Sequence, residues 1–194
     1  MLQRLLAAGE PQDSNSVVEI SLKLANIYST NGQMEQAEQG FLFCLESQQR
    51  KVGEGASEDT LGLAGLVLDQ RAQFLLAQDR LAEAEAAWRE AVRVAEQLHG
   101  PEGEQSLVVT NSLASLLSMR GRHVEAVELL ARVVEKARGQ ETEHLPAFLV
   151  NLGLAQLKQV QLRQGCRGRV GSSGTFFVLL SVFVNCNCRA WRPR

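Results

Sequence analysis

Apolar residues recur every three or four positions through residues 14–45, in two runs separated by a short polar turn. This spacing places the apolar side chains of each run on one face of an α-helix. Gly32 in the turn tolerates a left-handed backbone, and Ser14 or Ser16 can cap the first helix. The pattern therefore predicts two packed helices joined by a tight turn. The apolar stripe comprises Val17, Ile20, Leu24, Ala37 and Phe41.

The same two-helix pattern returns twice further along the chain. Each copy has a small residue in the second helix, a large apolar residue four positions later, and a turn residue before both. The aligned positions are Ala37, Ala84 and Ala126; then Phe41, Trp88 and Leu130; then Gly32, Asp79 and Gly121. Three helix pairs in register indicate a repeat protein in which neighbouring pairs share a core.

The later copies predict further helices over residues 60–76, 82–98, 106–119 and 124–138. Residues 145–157 begin a fourth pair, with Leu152 and Gly153 at the position that combines leucine with a small residue. The aligned alanines lie 47 and 42 residues apart, whereas the simple unit of this kind has about 34. We expect the surplus to lie in longer second helices and exposed loops.

The composition divides the chain into three parts. Residues 1–13 read as the remnant of a preceding helix and its linker, residues 14–158 form the repeat array, and residues 159–194 form a divergent tail expected to be disordered. The tail carries no acidic residue, and its apolar run TFFVLLSVFV has ten residues. A membrane-spanning helix needs about 20, so the sequence predicts none. We expect an array interrupted at both ends and therefore of marginal stability.

No residue pattern predicts catalysis or metal binding. Cys186 and Cys188 could bind metal, but a structural zinc site needs four ligands, and no second cysteine pair is present. Cys44 falls at a small core position. The three histidines fall at predicted loops or helix ends, where solvent exposure is the default. No nucleophile–histidine grouping and no phosphate-binding loop is present. We therefore predict a non-enzymatic protein without cofactor or metal, and the acidic repeats argue against nucleic-acid binding.

The helix pairs resemble the tetratricopeptide repeat family, whose pattern combines leucine, a small residue and tyrosine in the first helix with alanine and phenylalanine in the second. The resemblance implies an all-α fold, a right-handed α-solenoid of helix pairs. It also implies that the first helices line a groove suited to an extended peptide. The groove candidates are Leu22, Asn26, Ser29, Asp69, Gln73, Leu76, Asn111, Ser115 and Ser118.

The string NSVVEISLKLANIYSTNGQMEQAEQGFLFCLE is similar to a mitochondrial family of tetratricopeptide repeat proteins. That resemblance implies a scaffold for the assembly or quality control of respiratory complex III, peripherally associated with the mitochondrial inner membrane. Its implied partners are complex III subunits. The alternative is a cytosolic cargo or peptide adaptor, because the longer repeats and the segment Leu98-His99-Gly100-Pro101 resemble those of kinesin light chains. An upstream presequence would favour the mitochondrial scaffold, and an upstream coiled coil would favour the cytosolic adaptor.

Overall fold

The computed structural model describes residues 7, 9–11, 13–52, 56–140 and 142–163. This part of the chain contains seven α-helices and no strand. The helices are α1 Asn15–Thr30, α2 Met34–Val52, α3 Glu58–Ala77, α4 Leu81–His99, α5 Glu104–Met119, α6 His123–Ala137 and α7 Leu145–Arg163. The first six helices form three successive pairs. The seventh, α7, follows as the first helix of a further pair, as the aligned sequence pattern predicted.

Serine side chains fix the beginnings of two first helices. The Ser14 Oγ accepts a hydrogen bond of 3.3 Å from the Val17 N–H, so Ser14 rather than Ser16 caps α1. The Ser57 Oγ accepts an equivalent bond of 3.3 Å from the Thr60 N–H. Because this cap lies three residues before Thr60, α3 begins earlier than the apolar pattern indicated.

The three tight turns have the same backbone geometry. Gly32, Asp79 and Gly121 adopt φ values of 76°, 60° and 79°, in the left-handed region. In each turn the following N–H donates to a carbonyl five residues earlier, as from Gln33 to Tyr28 at 2.9 Å. This bond closes the end of a helix and reverses the chain. The predicted equivalence of the three turns is confirmed.

The chain divides into two compact units, Met1–Val94 and Ala95–Arg194. In the first unit, α1 and α2 lie close together at Gly40, where an added Cβ would lie 2.8 Å from the Ala25 Cβ. The rings of Phe41 and Phe74 lie 5.0 Å apart, which joins α2 to α3. The sequence pattern identified Phe41 as core but missed the close contact of the two helices at Gly40.

In the second unit, α5, α6 and α7 enclose one apolar cluster. Its members are Leu107, Val108, Val133, Val134, Ala137 and Phe148. Polar contacts fix the loops around it: the Lys136 Nζ donates to the Pro101 carbonyl at 3.2 Å, and the Thr142 Oγ1 donates to the Glu104 carboxylate at 2.7 Å. These bonds position the chain for its entry into α7.

The register predicted for α7 is wrong by two residues. Gly153 is exposed, and no atom lies within 4 Å of the position its Cβ would occupy. Ala155 is the buried small residue instead, on the same face as Phe148 and Asn151. The helix also continues beyond Lys158, to Arg163. The predicted structures of residues 1–6 and 164–194 lie outside the described part of the chain.

Candidate peptide-binding surface

All nine predicted groove residues lie on first helices, distributed over α1, α3 and α5. Their exposure differs, which determines which of them a ligand could touch. Three are partly exposed: Asn26, Ser29 and Gln73. Six are buried: Leu22, Asp69, Leu76, Asn111, Ser115 and Ser118.

On α1, the Asn26 amide connects two first helices. Its Nδ2 donates to the Leu22 carbonyl at 2.9 Å and also contacts the Gln70 side chain of α3. Leu22 itself is a core residue. Ser29 lies one turn after Asn26 on the same helix, so the partly exposed polar surface of α1 extends along its C-terminal half.

On α3, the carboxylate of Asp69 is completely enclosed. The Trp88 Nε1–H donates to its Oδ1 at 2.8 Å, and the Gln73 Nε2 donates to its Oδ2 at 2.9 Å. Burial raises the pKa of Asp69 to about 6, although both hydrogen bonds act in the opposite direction. The Asp69 carboxyl therefore links α3 to α4 inside the second repeat.

Sequence reasoning treated Asp69 as a groove residue and Trp88 as a core residue, and it missed their contact. The two residues lie 19 positions apart on successive helices. The available signal was the acid itself, which interrupts the apolar stretch LGLAGLVLDQRAQFLLA. A carboxylate within such a stretch needs buried donors, and an indole N–H is one that a core can provide.

In the second unit, Asn111 provides the corresponding connection between first helices. Its Oδ1 accepts a 3.0 Å hydrogen bond from the Asn151 Nδ2, which joins α5 to α7. The Ser115 Oγ donates to the Asn111 carbonyl at 2.9 Å, and the Ser118 Oγ lies 3.3 Å from the His123 Nδ1. Asn151 was not among the predicted residues, which lie on α1, α3 and α5 only.

The described residues contain no group of three or more histidine, cysteine or acidic side chains that could hold a metal ion. Cys44 is buried, as expected, and burial raises the pKa of its thiol to about 12. The histidines lie at helix ends, but His144 is buried beside Phe148, so the default expectation of solvent exposure was wrong for it. Cys166, Cys186 and Cys188 lie outside the described residues.

Among the helices that the structure describes, none combines the length and apolar character needed to cross a membrane.

A family model described as "Tetratricopeptide repeat" matches residues 63–138, which cover the second and third helix pairs. A solved structure, the crystal structure of BtubC (BKLC) from P. vanneervenii, superposes with a TM-score of 0.66 at 15% sequence identity. It covers 96% of this chain and 78% of that chain. Together with the aligned turns, these findings show that the chain is an all-α protein of the tetratricopeptide repeat family.

Within that family, the chain is similar to tetratricopeptide repeat protein 19, mitochondrial. The Danio rerio protein is 37% identical over 142 residues, which cover 68% of this chain and 35% of that protein. The Homo sapiens protein is 29% identical over 171 residues, which cover 82% of this chain and 45% of that protein. The chain thus spans between a third and a half of these relatives, and the homology is consistent with a protein-binding scaffold.

Proposed function

We propose that the chain is a non-enzymatic scaffold for the assembly or quality control of mitochondrial respiratory complex III. The observation that carries this proposal is the similarity to the mitochondrial tetratricopeptide repeat protein 19 over 68% of the chain at 37% identity. The mitochondrial names of the relatives support a mitochondrial location. The partners would be complex III subunits, reached by peripheral association with the inner membrane.

The first helices provide suitable chemistry for binding a peptide segment of such a subunit. Partly exposed amide and hydroxyl groups occur on α1 and α3, at Asn26, Ser29 and Gln73. An amide can both donate to and accept from a peptide backbone, so these groups suit an extended ligand. The buried carboxyl of Asp69 then acts behind this surface, by holding α3 against α4.

The test is quantitative co-purification from cells of the tagged full chain, with and without an added mitochondrial presequence. We expect complex III subunits to be enriched only with the targeted chain. In the targeted arm, Ser29→Arg should reduce their recovery several-fold, because the new side chain fills the partly exposed surface of α1. Thr30→Arg is the matched control, since Thr30 is exposed on an adjacent face of the same helix.

Failure of the targeted chain to enrich complex III subunits above an unrelated mitochondrial bait would contradict the proposal. Equal losses for Ser29→Arg and Thr30→Arg would instead remove the assignment of binding to this surface.

The second candidate is a cytosolic cargo or peptide adaptor of the kinesin-light-chain type. The 42-residue spacing of Ala84 and Ala126 favours it, together with the connector between α4 and α5. In that connector Gly100 adopts a left-handed φ of 74° immediately before Pro101. Enrichment of motor or vesicle proteins by the untargeted chain, without complex III in the targeted arm, would select this candidate.

A further inference from the structure

The sequence contains four lysines, and three of them donate hydrogen bonds from their Nζ atoms. These bonds run from Lys23 to the Glu19 carboxylate at 2.7 Å, from Lys51 to the Asn15 Oδ1 at 3.3 Å and from Lys136 to the Pro101 carbonyl at 3.2 Å. A hydrogen bond to an oxygen favours the charged ammonium form of lysine. Lys158 of α7 has no hydrogen bond or ion pair within the described part of the chain.

Lys158 lies where three helices of the second unit meet. It is partly buried on α7, close enough to His123, the first residue of α6, for the two charges to repel. The Ser118 Oγ, near the end of α5, lies 3.3 Å from the His123 Nδ1. The Lys158 side chain is therefore largely withdrawn from water, but the part that stays exposed leaves room for a small reagent to reach it.

The charged groups at this end of the three helices do not neutralise Lys158. The sequence of α7 contains no acid, and the single acid of α5, Glu104, lies at the opposite end of that helix. On α6, the Glu125 carboxylate pairs with Arg122, and Arg120 follows α5 directly. The remaining acids of α6 are the exposed Glu128 and Glu135, farther from the start of that helix.

Burial therefore acts on Lys158 without a compensating contact. It lowers the pKa of the Lys158 ammonium below the usual 10.5. Burial and the nearby Lys158 together lower the pKa of His123 as well. A desolvated lysine has more of its uncharged amine at neutral pH, and the amine is the nucleophilic form.

We propose that Lys158 is an acylation site, at which the lysine amine reacts with acyl thioesters. The ammonium first loses a proton to solvent, and the Nζ lone pair then attacks the thioester carbonyl carbon. A C–N bond forms as the C–S bond breaks, and the leaving thiolate takes up the second proton of the amine. The step involves no oxidation or reduction. Because the amide product is uncharged, acylation removes a buried cation from the contact of α5, α6 and α7.

The test measures the rate of acetylation at each lysine of the purified full chain. The probe is the small thioester S-acetyl-N-acetylcysteamine at pH 7.5. Unreacted lysines are then labelled with deuterated acetic anhydride in guanidinium chloride, and mass spectrometry of tryptic peptides gives the ratio of the two labels at each site. We expect Lys158 to react several-fold faster than Lys23, whose amine is exposed but paired with Glu19.

Two changes of condition connect this rate to the folded environment. The ratio of the Lys158 rate to the Lys23 rate should fall as the pH approaches 10.5, because an ordinary lysine also loses its proton there. In guanidinium chloride the four lysines should react at similar rates, because unfolding removes the burial of Lys158.

Lys158→Arg and Lys23→Arg form a matched pair of variants, since each keeps the positive charge and removes one amine. The initial acetyl uptake of the whole chain, measured by intact mass at pH 7.5, should fall several-fold in Lys158→Arg and only slightly in Lys23→Arg. Circular dichroism verifies that both variants keep their helical content.

Three outcomes would overturn the proposal. The first is a Lys158 rate no higher than the Lys23 rate in the folded chain. The second is a ratio of the two rates that does not fall as the pH rises, which would show that accessibility alone determines the difference. The third is an advantage of Lys158 that persists in guanidinium chloride, since the local sequence would then be its cause. The proposal does not depend on the scaffold function, because the assay contains no partner protein.

Discussion

At the scale of single residues, the buried carboxyl of Asp69 links stability to pH. Its pKa is about 6 in the folded chain against a usual 3.8, because burial disfavours the charged form. The native state therefore holds this proton more tightly than the unfolded state does. The contribution of Asp69 makes the chain most stable below about pH 4 and lowers the free energy of unfolding by about 3 kcal/mol as the pH rises through about 6.

Asp69→Asn should remove this pH dependence. The amide oxygen can still accept from the Trp88 Nε1–H, and the Gln73 amide can reorient to accept from the new Nδ2. Urea unfolding followed by circular dichroism at pH 4.5, 5.5 and 6.5 should show a smaller fall in stability for the variant than for the natural chain. Asp59→Asn, an exposed position on the same helix, is the control. An unchanged slope in Asp69→Asn would contradict the assignment.

At the scale of helices, two glycines in helix interiors should respond oppositely to the same change. Gly40→Ala places a Cβ 2.8 Å from the Ala25 Cβ, so α1 and α2 must separate, at a cost of about 1–3 kcal/mol. Gly153→Ala meets no atom within 4 Å and removes a flexible residue from a helix interior, which should stabilise by about 0.5–1 kcal/mol. Thermal unfolding of both variants compares the two effects directly. A stabilising Gly40→Ala would show that the helices adjust freely at this contact.

The sequence predicted helix pairs well because their signals are local. The aligned alanines Ala37, Ala84 and Ala126 are all fully buried, and the three turn residues share one backbone conformation. The register of α7 was predicted wrongly because LPAFLVNLGLAQL is apolar on both sides, so periodicity does not distinguish its buried face. The predicted groove residues were identified from their position within each repeat. Their burial depends on contacts between different helices, such as Asp69–Trp88, and the position within a repeat does not specify these contacts.

At the scale of the whole molecule, Trp88 accounts for a large part of the stability available to a chain of this size. It is 0% exposed and donates to a carboxyl that is itself buried. Trp88→Ala should lower the free energy of unfolding by about 3–5 kcal/mol, through lost packing and a cavity. Since typical totals are roughly 5–15 kcal/mol, a substantial part of the fold's stability would be lost.

Trp88→Phe separates packing from hydrogen bonding, because phenylalanine retains most of the volume but has no N–H. It should lower the free energy of unfolding by about 1–3 kcal/mol, which is the range for a buried acceptor that loses its hydrogen-bond donor. Without that donor the pKa of Asp69 should rise further, since the bond to Trp88 lowers it. The cost of Trp88→Phe should therefore be smaller at pH 4.5, where Asp69 is protonated, than at pH 7.5. Urea unfolding followed by circular dichroism measures both variants, and equal costs at the two pH values would show that Trp88 stabilises the chain by packing alone.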